Sequence, residues 1–217
     1  MLQYEPPNQV SRTVSFRIRP AQSSDAPHIA RLVLLSAETF LPAVFGPGIA
    51  KAVEEMAAGR GTLFSHEHAW VAEGEGDVRG MLLGYAGAAK AAQDPRTGLG
   101  LLSVLRADMI RRLPALLKMQ STIGRIGRNQ YYISNVAVYP RHRGSGIGAL
   151  LIARARQEAG SAGLADMVLD VETDNPDAQR LYERLGFRVT RETPALVLGG
   201  HAFAFRRMAL SLRRVED

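Results

Sequence analysis

Val136-Ala-Val-Tyr-Pro-Arg-His-Arg-Gly-Ser-Gly-Ile-Gly-Ala-Leu-Leu-Ile152 runs from a strand (Tyr131 to Val138) through a loop bearing three glycines into a helix, Ile147 to Ala159. The helix's apolar positions begin at once. The first turn of a helix carries backbone N–H groups without intrahelical partners and about half a positive charge. Glycines at 144, 146 and 148 let an anion approach that main chain without a Cβ in the way, and Arg141 and Arg143 add positive charge beside it. The segment is therefore read as a phosphate site; the plainer alternative is a loop that only turns tightly.

Two phosphate ligands compete at this point. Gly144-Ser-Gly-Ile-Gly-Ala149 also fits the dinucleotide pattern G-x-G-x-x-A, with Asp170 about twenty residues on. Against a dinucleotide, Pro140 to Arg143 separates the strand from the first glycine, and only some seventy residues follow. A nucleoside-triphosphate loop is excluded, because no Gly-Lys-Ser or Gly-Lys-Thr follows the glycines.

Downstream lies Leu169-Asp-Val-Glu-Thr-Asp-Asn-Pro-Asp-Ala-Gln-Arg-Leu-Tyr-Glu-Arg-Leu-Gly-Phe187. A strand, Met167 to Glu172, leads into a helix from Pro176 to Leu185. Asn175 suits the N-cap, Pro176 the first helical position and Gly186 the left-handed C-cap. Ala178, Leu181, Tyr182 and Leu185 share one face. Tyr182 is then either a core tyrosine, which periodicity alone favours, or a hydroxyl placed at the mouth of the preceding strands.

Upstream, Ser15 to Arg19 alternates as a first strand after a loose arm at 1–14. Ser24 is expected to cap a helix starting at Asp25, with Ile29, Leu32, Val33 and Ser36 on one face. Pro42, Pro47 and Gly48 break the chain before a short helix from Ile49 to Ala58. Ala69 to Ala72 and Met81 to Ala86 read as a hairpin joined by the turn-rich residues 74–80. Asp94 to Gln130 reads as an insertion or lid containing a helical pattern, Leu101 to Lys118, with leucines at 101, 102, 105, 113, 116 and 117 opposite arginines. Two strands close the chain and meet near Gly199-Gly200, with Met208 and Leu210 facing the core. No internal repeat or linker divides 15–217, so a single domain is expected.

The 217 residues are 46% hydrophobic and 22% charged, ordinary for one globular core. No apolar run approaches the ~20 residues that span a bilayer, and Met1 to Ser15 has no basic segment followed by an apolar one. A cytoplasmic location is the expectation. Absence of cysteine removes disulfides, thiolate metal sites and a cysteine nucleophile. Of the net charge of +6, much gathers in Arg106, Arg111, Arg112, Lys118, Arg125 and Arg128, against Asp108 alone. An amphipathic helix packed on its own domain accounts for that stretch better than a membrane or nucleic-acid surface.

Arg143, Gly146 and Gly148, followed by Asn175, Tyr182, Gly186 and Phe187, resemble the two signature motifs of the GNAT superfamily of acyl-coenzyme A-dependent N-acyltransferases. The opening Ile18-Arg-Pro-Ala with Asp25 is similar to the start of many such domains, so the resemblance covers about residues 16–210. It implies an α/β fold: a mixed, mostly antiparallel sheet of about seven strands, splayed between the fourth and fifth, with helices on both faces. It further implies that acetyl-CoA enters the split. Val136, Ala137 and Val138 would line its pantetheine, and Arg143, Gly144, Ser145, Gly146, Ile147, Gly148 and Ala149 its pyrophosphate. Asn175 and Ala178 would hold the pantetheine arm, and Tyr182 would lie near the sulfur as catalytic acid. No metal is implied. The reaction implied is acetyl transfer to a primary amine of a small molecule or protein by direct attack; a silent acyl-CoA sensor and, less favoured, a dinucleotide oxidoreductase are the alternatives. A homodimer is left open, and neither a membrane nor nucleic acid is an expected partner.

An attacking amine must be neutral, and free lysine has a pKa of about 10.4, so a proton acceptor is useful. Asp170, Glu172 and Asp174 alternate on one side of the fifth strand, where acids are normally depleted. Asp170 stands five residues before Asn175, where some relatives carry a basic catalytic glutamate. General base, acceptor contact and plain ion pair all stay open for it, while Glu172 is read as solvated. His66 and His68 form an H-x-H pair without a visible third ligand and are read as exposed. His142 is read as a solvated loop residue, and Glu38 and His201 are acceptor-side candidates from position only.

Overall fold

A computed structural model describes residues 16–213 apart from Gly124; the side chains of 104–113, 115 and 120–122 also lie outside the description. The expected arm at 1–14 and Leu105, Leu113, Arg106, Arg111 and Arg112 fall there. Nine strands and six helices follow in the described chain. β1 (Arg17–Pro20) precedes α1 (Ala26–Ser36), α2 (Phe40–Phe45) and α3 (Ile49–Ala58). β2 (Ala69–Gly74) and β3 (Asp77–Ala86) form a hairpin, and α4 (Gly87–Thr122) leads to β4 (Gln130–Val138). Then come α5 (Ile147–Ser161), β5 (Asp166–Glu172), α6 (Pro176–Arg184), β6 (Arg188–Glu192), β7 (Leu196–Leu198), β8 (His201–Phe203) and β9 (Phe205–Ser211).

Seven strands make one sheet in the order β1-β2-β3-β4-β5-β9-β6. Every neighbouring pair is antiparallel except β4 and β5, which run parallel. This is the expected mixed sheet. Helices cover both faces: α1, α2 and α3 pack with Val71, Met81 and Leu83 in one core, whereas α5 and Tyr182 of α6 pack with Leu82, Met167, Leu169 and Met208 in the other. β2 and β3 residues alternate between these cores, and in β5 Val168 packs with Leu63, Tyr85 and Tyr132 on the face opposite Met167 and Leu169, the period of two that a sheet buried on both sides requires.

The parallel pairing of β4 and β5 stops short, and its end is set by a bulge. Leu83 pairs with Asn135 but Gly84 pairs with Ile133, so Ser134 is an extra residue on β4. β5 registers with β4 only from Gln130↔Asp166 to Ile133↔Leu169. Beyond Ile133 the two strands diverge, as a bulge that bends its own strand dictates. The backbone edge of β4 from Ser134 to Val138 is left without β5.

Several local expectations need correction. Gln22, not Ser24, caps the first turn, a 3-10 turn at Ser23–Asp25 that precedes α1. The Asp25 carboxylate accepts from the Gln22 amide at 2.7 Å and from Arg19 at 2.7 and 3.0 Å, three bonds that fix the turn better than a serine hydroxyl could. Pro42 does not break the chain; it occupies the first turn of α2, where a missing N–H costs no helical bond. The β2–β3 hairpin turns on only Glu75 and Gly76, at φ 55° and 79°, so residues 77–80 belong to β3. The Gly199-Gly200 turn joins β7 to β8 in a separate two-stranded ribbon, while β9 pairs with β5 and β6 in the main sheet.

The helical pattern expected from Leu101 to Lys118 is part of a longer helix, because α4 begins at Gly87, ahead of the expected insertion, and runs through Pro95 and Pro114. An interior proline costs ~3 kcal/mol, which tertiary packing must outweigh. Buried Thr97, Leu101 and Leu116 supply it, and Thr97 Oγ1 both donates to the Gln93 carbonyl and accepts from the Leu63 amide, each at 2.9 Å. Leu102 and Leu117 stay exposed. Among the described residues no helix is long and apolar enough to cross a membrane.

Candidate active site

The glycine loop is a run of bare amides. His142 N–H donates to the Tyr139 carbonyl and Arg143 N–H to the Pro140 carbonyl, whereas helical bonding resumes only with Leu150 N–H to the Gly146 carbonyl at 3.1 Å. Between them the amides of Gly144, Ser145, Gly146, Ile147, Gly148 and Ala149 have no partner among the described residues. Gly144 and Gly146 take φ of 77° and 82°, the left-handed region that an L side chain rarely adopts. Ser145 Oγ donates to the His142 carbonyl at 2.6 Å and closes the loop. Arg143 departs from expectation in one respect: its amide is used inside the loop, and its Nε donates to the Val138 carbonyl at 3.2 Å.

The β4 edge facing the opening follows from antiparallel alternation. Tyr139 N–H donates to the Arg79 carbonyl, so residues 139, 137 and 135 turn their main-chain groups toward β3. Val136 and Val138 turn theirs toward the opening left by β5. Ala137 therefore borders the site only by its side chain.

On the far wall, Asn175 caps α6 by accepting from the Ala178 amide at 3.1 Å, which leaves its Nδ2 without a partner among the described residues. The Tyr182 ring is buried against Phe187, centroids 5.9 Å apart. Both readings of Tyr182 hold at once: the ring is core, and the residue lines the cleft. Its hydroxyl has no hydrogen-bond partner among the described residues, and burial pushes its pKa up to about 12.

Asp170 is held as an ion pair. Arg207 Nε meets Oδ1 at 2.9 Å and Nη2 meets Oδ2 at 2.7 Å, while the Tyr132 hydroxyl donates to Oδ2 at 3.1 Å. Its side chain is 2% exposed. Glu172, by contrast, is half-buried rather than solvated, and burial followed by the neighbouring Asp174 raises its carboxyl above the ordinary range.

One cleft of about 1780 Å³ joins these parts, from Arg143, Gly146 and Asn175 past Val136, Tyr182, Asp170 and Glu172 to Phe40, Tyr85 and Leu101. Glu38 and His201 do not line it. His66 is buried, with Nδ1 2.7 Å from the Ala57 carbonyl, and His68 Nε2 lies 2.7 Å from Gln93 Oε1; both are structural rather than exposed. Among the described residues no group of three or more His, Cys, Asp or Glu could hold a metal ion.

Sequence reasoning missed the polar residues at the splay. Asn135 Nδ2 donates to Ser36 Oγ at 2.8 Å and Ser134 Oγ to Asn135 Oδ1 at 2.9 Å, all three lining the cleft. The signal was present as Ser134-Asn135 inside an otherwise apolar strand.

A mixed sheet opened beside a helix start with free amides is the architecture of the N-acetyltransferase fold. An acetyltransferase from Staphylococcus aureus Mu50 superposes with a TM-score of 0.65 at 18% identity, over 89% of this chain and 100% of that one. The structure of yncA from Salmonella typhimurium with its cofactor acetyl-CoA gives 0.61 at 20% identity, over 93% and 96%. These likenesses establish the fold. The sequence model of the acetyltransferase (GNAT) family matches residues 46–187, and the chain belongs to that family. Among curated relatives, the L-methionine sulfoximine/L-methionine sulfone acetyltransferase of Salmonella typhimurium is 40% identical over 60 residues, 28% of this chain and 35% of that protein. The L-amino acid N-acyltransferase MnaT of Escherichia coli is 38% identical over 60 residues, with the same shares. The match thus spans about a third of the length of these relatives.

Proposed function

We propose that the protein transfers an acetyl group from acetyl-CoA to a primary amine, and that residues 15–217 form the catalytic unit with α4 as its helical insertion. The observation that carries this reading is the run of six unpartnered amides, Gly144 to Ala149, at the edge of a cleft that continues to Tyr182. Such amides at a helix start fit a pyrophosphate, and the left-handed glycines leave them open to it. Val136 offers its main-chain groups and Val138 its N–H to an extended amide-bearing arm, the Val138 carbonyl being taken by Arg143 Nε, and Asn175 Nδ2 offers a donor from the other wall. The donor substrate supplies an activated acetyl group when bound.

Within this reading Tyr182 donates a hydrogen bond to the sulfur as negative charge grows there. Glu172, desolvated and beside Asp174, takes the proton of the incoming amine, while Asp170 positions β4, β5 and β9 through Tyr132 and Arg207. The relatives' amino acid acceptors make a small-molecule amine the first acceptor to test, with protein amines second, and the cytoplasm is the proposed compartment.

Titration of the protein with acetyl-CoA and with NAD in a calorimeter, followed by thiol release with an amine panel, tests the reading. Binding of acetyl-CoA with amine-dependent thiol release supports it. Binding without release on any amine points to a sensor, and binding of NAD instead overturns the assignment of the loop.

A further inference from the structure

The cleft is longer than the proposed coenzyme site needs, and its far end has a different character. Beyond the splay it is walled by Phe40 and Phe45 of α2, Leu63 and Phe64 of the segment after α3, and Leu101 and Leu116 of α4. Of the charged groups bordering this end, Lys90 is paired with Asp94 at 2.6 Å and Asp170 with Arg207, while the exposed Arg125 stands at the rim. Between this apolar chamber and the phosphate loop stands a polar collar made of Ser36, Ser134, Asn135, Tyr85, Tyr132 and Glu172.

Resting on the acetyltransferase reading, we propose that the acceptor is an amine carried on a bulky uncharged apolar body, with the nitrogen in the collar and the body in the chamber beneath α4. A hydrogen-bonding collar next to an apolar chamber suits a molecule with one polar end. A long acyl chain on the donor is the other apolar occupant to consider, but it would lay methylene groups across Ser134, Asn135 and Tyr85, and burying hydroxyls and amides against hydrocarbon is unfavourable. An acceptor with a second charge would strand that charge among phenylalanines and leucines, where Lys90, Asp94 and Asp170 already have partners.

The test uses the full chain with acetyl-CoA and the series benzylamine, phenethylamine, 3-phenylpropylamine and 4-phenylbutylamine, compared with 1,4-diaminobutane and L-methionine. Each added methylene is expected to raise kcat/KM about fourfold, the ratio that burial of one CH2 gives, and the charged comparators should lag by at least tenfold. In parallel, 4-phenylbutylamine should raise the melting temperature of the CoA-saturated protein, a readout that does not need turnover. Leu102→Glu and Leu117→Glu, at cleft-lining leucines that are 47% and 59% exposed, should flatten the series without unfolding the core.

A flat or inverted series, or 4-phenylbutylamine that neither reacts nor shifts the melting temperature, overturns the proposal. So does a gain in turnover with octanoyl-CoA over acetyl-CoA on a small amine. Calorimetry with acetyl-CoA separates these failures from failure of the acetyltransferase reading, since a wrong acceptor class leaves coenzyme binding intact.

Discussion

Asp170 on β5 and Arg207 on β9 are directly opposite in register and joined at two points, 2.9 and 2.7 Å, with the carboxylate almost wholly out of solvent. Tyr132 of β4 donates to the same carboxylate, and Arg207 Nη1 donates to the carbonyl of Arg125 in the segment between α4 and β4. One carboxylate thus links three strands at the splay, and its guanidinium partner ties in the insertion. A base needs a free oxygen facing the amine, whereas this arrangement occupies both.

Asp170→Asn is therefore expected to act through position and stability. Removing one partner of a buried pair costs about 3–5 kcal/mol because the other charge is left without compensation. For a chain of this size that lowers Tm by roughly 10 °C. Turnover of the folded variant should fall by a similar factor at every pH. Recovery of the rate at high pH, where amines are already neutral, would return Asp170 to the role of base.

Glu172 carries the opposite expectation. Burial and Asp174 raise its carboxyl, so the acid limb of kcat/KM lies above the ordinary carboxylate range. Asp174→Asn removes the neighbouring charge and should move that limb to lower pH; Glu172→Gln should abolish the limb and lower the neutral rate about 10²- to 10⁴-fold. The linkage has a definite sign. A raised native pKa means that the folded protein holds this proton longer than the unfolded chain, so stability falls as pH rises from about 4.3 through the native value. Glu172→Gln should accordingly unfold at a higher temperature than the parent at pH 7. An acid limb indifferent to Asp174→Asn removes Glu172 from proton transfer.

The glycine loop and α6 were legible in the sequence because their signals are local: Gly144, Gly146, Asn175, Pro176 and Gly186 each satisfy a backbone requirement within a few residues. The boundaries of α3 and α6 followed from the same kind of signal. Asp170 was ambiguous for a physical reason, since its partners Arg207 and Tyr132 are 37 and 38 residues away and only sheet register brings them together. The collar was hidden likewise, because Ser36 and Asn135 are 99 residues apart. The helical pattern was legible only from Leu101, whereas α4 begins at Gly87, because Pro95 and the nearby glycines weaken the local helical signal while the packing of Thr97 and Leu101 is a tertiary effect.

Gly146 tests the amide cradle. A Cβ built there meets nothing within 4 Å, so the cost of Gly146→Ala comes from its φ of 82° rather than from collision. Left-handed backbone costs an L residue about 1–2 kcal/mol, and relaxing it would turn the adjacent amides out of line. Acetyl-CoA affinity should drop at least tenfold, with a much smaller change in far-UV circular dichroism. Unchanged affinity in a folded Gly146→Ala protein would mean that the phosphates lie elsewhere.

Tyr182→Phe isolates one hydroxyl. The ring stays against Phe187, and the hydroxyl has no partner to lose among the described residues, so Tm should remain within about 2 °C of the parent. The effect on chemistry follows from its acidity. Burial raises Tyr182 to about 12, whereas a thiol sits near 8.5, so full transfer of the proton to a thiolate would run uphill. What the hydroxyl can do is donate a charge-assisted hydrogen bond as the sulfur becomes anionic, worth about 1.5–3 kcal/mol. That corresponds to a loss of roughly 10- to 100-fold in the rate of acyl transfer, with acetyl-CoA affinity nearly intact. The raised pKa also fixes the pH behaviour: Tyr182 keeps its proton to about 12, so the parent's rate should show no fall from its ionisation at pH 8–10. Single-turnover measurement is required, because movement of α4 or product release can hide the step in steady state. A folded Tyr182→Phe protein whose single-turnover rate equals the parent's would leave Tyr182 as a core residue and the sulfur to be stabilised by solvent.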